Sequence, residues 1–123
     1  MILVDTSIWI DHLHRVEPAL VDLLDHAQVL RHPMVVGELA LGNLKDRESV
    51  LGYLADLPSV GVAGHDEVMQ LVERRTLHGR GLSLVDAHLL ASVLISAPAR
   101  LWTRDTSLLR AATEVGVDFV GPV

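Results

Sequence analysis

The sequence predicts an α/β domain in which helices cover both faces of a parallel sheet. Three observations carry this expectation. Short apolar runs alternate with longer helical stretches along the whole chain. Strand–helix–strand order requires right-handed crossovers, which lay helices across a parallel sheet. At 123 residues, half of them hydrophobic, the chain supports one such core and not two, so residues 1–123 are read as one domain.

The elements follow in order. Ile2–Val4 is a short buried strand; Asp5, Thr6 and Ser7 are good helix caps, and Ser7–His14 is a short helix. Pro18 opens a second helix to His26, with Leu20, Leu23 and Leu24 on one face. Val29–Arg31 is the second strand. Pro33 starts a helix that runs to Leu41 and breaks at Gly42 and Asn43. Arg47–Leu57 is helical and stops at Pro58. Val60–Val62 is a strand, and Gly64 a turn. His65–His78 is a helix on a stripe of Val68, Leu71 and Val72, ended by Gly79 and Gly81. Ser83–Ser96 is a strongly apolar helix closed by Pro98. Arg100–Thr103 is a strand, Thr106–Val115 a helix and Val117–Val120 the last strand.

Composition narrows the function. The net charge of −6 argues against non-specific nucleic-acid binding through a basic face, but not against a nuclease whose metal ions bring their own charge. One Phe and one Tyr leave little for base stacking, and the absence of Cys excludes disulfides and thiolate metal sites. No apolar run reaches the roughly 18 residues that cross a bilayer. Met1–Ile10 lacks a basic start and carries Asp5, so it reads as a strand and not a signal peptide. No membrane association is expected, and a cytoplasmic location fits.

The acids are the informative residues. Most sit among polar neighbours, as surface acids do. Asp5, however, is the only charged residue between Met1 and Ile10, and Glu38 the only one between Met34 and Leu44. Asp86 is the only one between Leu82 and Ala99, with His88 counted neutral. A carboxylate taken out of water costs several kcal/mol unless an arginine, a cap or a metal compensates. Ser83 already supplies a cap for the Asp86 helix, which leaves Asp86 for another task. Asp105 follows a strand just as Asp5 does, and the ligand site of a parallel sheet lies beyond the carboxyl ends of its strands. Simple capping remains open for both.

Together the four carboxylates form a pattern assembled by folding. An oxygen-only set suits Mg2+ or Mn2+. Two such ions about 3.5–4 Å apart activate water and steady the leaving oxygen in phosphodiester cleavage. The hydroxyls of Thr6, Ser7 and Thr103 would orient the carboxylates or bound waters. The histidines do not organise into a zinc site: His12 and His14 diverge, His88 diverges from Asp86, and no HExxH spacing exists.

Four segments carry a resemblance. ILVDTSIWID contains Asp5, VVGELALG contains Glu38, GLSLVDAHLLASVL contains Asp86, and LWTRDTSLL contains Thr103 and Asp105. In their order and spacing they resemble the PIN-domain family, in particular the VapC-type ribonuclease toxins of bacterial toxin–antitoxin pairs. The resemblance implies a three-layer α/β/α sandwich with a central parallel sheet of about five strands. It implies Mg2+- or Mn2+-dependent RNA cleavage by an activated water, a homodimer, and a cognate antitoxin that covers the site. Substrate grip would fall to arginines, with Arg80 and Arg104 the candidates for phosphate contact. Trp9 and Leu13 are candidates for the antitoxin groove or a dimer face, against plain core packing for Trp9.

Rival readings fare worse. A haloacid-dehalogenase-type phosphatase needs a second Asp two residues after the first, where this chain has Ser7. It also needs a lysine near the site, and Lys45, the only lysine, falls in a helix break away from the strand ends. A receiver-like module would end its last strand with a lysine, and residues 116–123 contain none. No GxxxxGK loop is present. A catalytically silent, partner-binding PIN-like module stays open.

Overall fold

The structure, a computed structural model, describes residues 1–120. Its centre is β1 (Ile2–Val4), flanked by β2 (Val29–Leu30) and β3 (Arg100–Trp102). Both neighbours run parallel to β1, in the order β2-β1-β3, with Leu3 opposite Leu30 and Leu101. All three β1 residues are buried, so the strand is covered on both faces. This explains a continuous apolar run in place of an alternating one.

Among the described residues the expected five strands reduce to three regular strands and two edge segments. Ser59 bridges Arg31 beyond β2, and Asp118 bridges Leu101 beyond β3, both in parallel. The reason is where the backbone donors go. Pro58 has no N–H to give. Gly61 N–H leaves the sheet for the Ser96 hydroxyl (2.9 Å) and Ala63 N–H for that of Ser92 (3.0 Å), so Val60–Val62 peels away after one bridge. On the other edge the Arg100 guanidinium takes the carbonyls of Gly116 and Asp118 at 3.2 Å each.

Among the described residues seven helices surround the sheet: α1 (Thr6–His14), α2 (Pro18–Asp25), α3 (Pro33–Leu41), α4 (Arg47–Ala55), α5 (His65–Arg74), α6 (Leu84–Ile95) and α7 (Thr106–Glu114). α3 packs on α1 and α4, whereas α6 packs on α5, β3 and α7, completing a three-layer α/β/α arrangement. α6 is buried from Ala87 to Val93, which accounts for its uniformly apolar sequence. Among the described residues no helix is long and apolar enough to cross a membrane.

α5 stops four residues short of the expected His78. Thr76 takes a left-handed conformation (φ 52°), and Leu77 N–H returns to the Val72 carbonyl at 3.0 Å. The same closure ends α2 at Ala27 (φ 54°, Gln28 N–H to Leu23 O, 2.9 Å) and α7 at Gly116 (φ 77°, Val117 N–H to Ala112 O, 2.9 Å). Only the last uses the residue that adopts this conformation without steric cost. Trp9 is 5% exposed and packs in the core.

Candidate active site

Asp5 stands where β1 ends and α1 begins. Its N–H bonds the Trp102 carbonyl at 2.9 Å, tying it to the end of β3. Its carboxylate is 6% exposed and accepts three donors: Thr6 N–H on Oδ1 (2.7 Å), and the hydroxyls of Thr103 (2.7 Å) and Ser7 (3.1 Å) on Oδ2. These bonds satisfy a charge that burial would otherwise penalise.

Thr103 is a two-way bridge. Its hydroxyl donates to Asp5 and accepts Asp105 N–H at 3.0 Å. Asp105 caps α7, with Oδ1 accepting Leu108 N–H at 2.9 Å. On the other side, the Thr6 hydroxyl donates to Glu38 Oε1 at 2.7 Å, linking α1 to α3. The adjacent strand ends thus carry Asp5 and Asp105, and α3 brings Glu38 alongside.

Asp86 enters from α6. It forms a reciprocal cap with Ser83: Ser83 N–H donates to Asp86 Oδ2, and Asp86 N–H donates to the Ser83 hydroxyl, each at 3.0 Å. The expectation that Ser83 leaves Asp86 free of capping is therefore corrected, and the missed signal was the Ser-x-x-Asp spacing itself. Burial raises the Asp86 carboxyl above the usual range; Ser83's hydrogen bonds oppose this, and the charges of Asp105 and Asp5 add to it. Asp86 therefore lies within electrostatic reach of both other aspartates.

The four acids are brought to one region without closing on a point. Among the described residues no three His, Asp or Glu side chains are gathered tightly enough to hold an ion. Each aspartate is held at its own helix start by a cap bond. The donor chemistry still fits a hard divalent cation, since all four offer carboxylate oxygen and nothing softer. Asp86 Oδ1, Asp105 Oδ2 and Glu38 Oε2 have no protein donor among the described residues.

Other expectations are corrected. Glu38 lies on an exposed face of α3, with Val35 and Leu39 on the buried face, so no burial cost marked it out. Arg80 pairs with Glu114 at 2.7 Å, and Arg104 pairs with Asp11 and Glu17, so each guanidinium is held in a partly exposed ion pair. Leu13 (42% exposed) lines a cleft of about 370 Å³ with Ile10, Leu39 and Glu38. Lys45 lines the same cleft, so it is not remote from the acids.

The family model of the PIN domain matches residues 2–114. The chain belongs to the PIN-domain family. Over 117 residues it is 54% identical to Ribonuclease VapC32 from two strains of Mycobacterium tuberculosis, covering 95% of this chain and 94% of each relative. Asp5, Glu38, Asp86 and Asp105 all lie inside the region matched to the PIN domain. Membership also sets aside the phosphatase and receiver readings.

Proposed function

We propose that this PIN domain, taken as residues 1–123, is a metal-dependent endoribonuclease and the toxin of a toxin–antitoxin pair. The observation that carries the reading is the Asp5–Thr103–Asp105 bridge, with Asp86 close enough for both aspartates to act on its carboxyl. Extensive identity to a ribonuclease supports the reaction class.

Asp5, Glu38, Asp86 and Asp105 are the catalytic and metal-holding residues, for Mg2+ or Mn2+. When bound, the ion activates a water for attack on phosphorus and offsets charge on the leaving oxygen. Asp5 is the fixed member, held by Thr6, Ser7 and Thr103. Thr6 also orients Glu38 through its Oε1. Ser83 holds Asp86 by one carboxylate oxygen and leaves the other without a protein donor among the described residues. Burial first, and the charges of Asp105 and Asp5 after it, raise the Asp86 carboxyl, so Asp86 is the member whose ionised form gains most from a neighbouring cation. RNA is gripped by Arg80 and Arg104, whose partly exposed ion pairs are weak enough for a polyanion to displace. The apolar cleft at Ile10 and Leu13, beside Glu38, seats the antitoxin, which thereby covers the acids. The protein acts as a homodimer in the cytoplasm.

The test is RNA cleavage with Mg2+ or Mn2+, with and without chelator, for the wild-type protein and for Asp5→Ala and Asp86→Ala. Cleavage should require the ion and vanish in both variants. Cleavage that survives both substitutions overturns the assignment. A wild-type protein that binds antitoxin but cuts no RNA is the silent relative instead.

A further inference from the structure

Away from the carboxylates the protein buries one polar cluster that the cleavage chemistry leaves unused. His32 ends the β2 segment and caps α3, with no exposed surface. Its Nδ1 accepts Met34 N–H at 3.0 Å, so the ring proton resides on Nε2. That nitrogen donates to the Ser92 hydroxyl at 3.1 Å. Ser92, also fully buried, accepts Ala63 N–H (3.0 Å) and donates to the His88 carbonyl (2.8 Å). One donor and two acceptor positions exhaust a serine hydroxyl, so the cluster is completely satisfied. Burial, with His88 nearby, lowers His32 to about 4, which keeps it a neutral donor near pH 7.

The placement gives the cluster a purpose. Glu38 lies six residues after His32 on α3, and Asp86 six residues before Ser92 on α6. Each acid is thus about 9 Å along its helix from the same hydrogen bond. The two helices make their main contacts with different neighbours, α3 with α1 and α4, α6 with α5, β3 and α7. We propose that the His32–Ser92 hydrogen bond is a buried latch that sets the spacing between the Glu38 helix and the Asp86 helix, making both residues positioning residues for cation binding. This rests on the metal-site reading above.

The experiment compares Mn2+ affinity, by calorimetry under conditions where circular dichroism shows each protein folded, for wild type, Ser92→Ala, His32→Asn, Leu20→Ala and Asp5→Ala. Asn retains a good helix cap but is too short to reach Ser92. Leu20→Ala loses stability on α2, which carries none of the four acids. Both latch variants should bind Mn2+ about tenfold more weakly, as loss of an outer-shell support does, while Leu20→Ala binds as wild type. Latch variants with wild-type affinity overturn the latch, as does an equal loss in Leu20→Ala, which would make the effect mere destabilisation. Wild type binding no better than Asp5→Ala overturns the metal reading itself. If the latch variants do not fold, the buried His32 Nε2–H resonance of the wild-type protein serves instead. It should shift as Mg2+ is added, and a resonance unmoved at saturating Mg2+ overturns the latch.

Discussion

Thr103→Val tests the bridge at the heart of the site without opening a cavity, because valine copies the shape of threonine. The hydroxyl it removes makes two bonds at a nearly buried position: a 2.7 Å donation to the Asp5 carboxylate and a 3.0 Å acceptance from Asp105 N–H. A hydrogen bond to a charged group contributes about 1.5–3 kcal/mol, and a stranded N–H costs about 1–3 kcal/mol. Asp5 keeps Thr6 N–H and Ser7, and Asp105 is exposed, so the low end of each range applies. The expected loss is about 2–4 kcal/mol, or roughly 8–15 °C in Tm for a domain of this size. Thermal denaturation of metal-free protein measures it, with Thr103→Ser expected to recover most of the loss. A valine variant melting within about 2 °C of wild type would mean that the bridge contributes nothing, and the account of how Asp5 tolerates burial would fail.

Further outcomes follow from the same contacts. His32 is lowered to about 4 while the unfolded chain titrates near 6.5, so within that window only the unfolded state takes the proton. Stability should therefore fall as pH drops from about 6.5 through about 4, by roughly 3 kcal/mol in all; His32→Asn should flatten this part of a Tm-against-pH curve, and an unchanged slope refutes it. Glu38→Gln should leave stability within about 0.5 kcal/mol, since the side chain is exposed and its amide oxygen still accepts from Thr6, while cleavage collapses. Unfolding of that variant would make Glu38 structural. Ala27→Gly should raise Tm by about 2 °C, because the left-handed strain at φ 54° slightly exceeds the chain entropy that glycine adds; a lower Tm would show the strain to be absent.

Legibility in the sequence followed the physics of isolation. Asp5 stood out because burial of an apolar strand makes one charge conspicuous, and it is the acid that is truly buried. Glu38 was picked by the same reasoning although it is exposed: the apolar residues around it face inward, and a run of residues does not state which helix face each occupies. Asp86 was found while its cap was missed, because one good cap residue was taken to be sufficient where a reciprocal pair forms. The central strands were legible from their unbroken apolar runs. The edges were not, since bridging there ends where side-chain hydroxyls of α6 capture backbone donors, a contact between segments more than 25 residues apart. His32 and Ser92 left only a faint trace, a histidine before a proline and a hydroxyl within an apolar helix.

Asp5, Asp86 and Asp105 share one more property: each sits at the amino end of a helix, α1, α6 and α7 respectively. Aligned peptide dipoles give such ends a partial positive charge, worth about 0.3–1 kcal/mol to a nearby anion. Three of them aimed at one acidic region act as a built-in counter-charge. The fold therefore needs no ion to hold its acids in place, and stripping the metal should switch the enzyme off while leaving it folded and ready to be recharged.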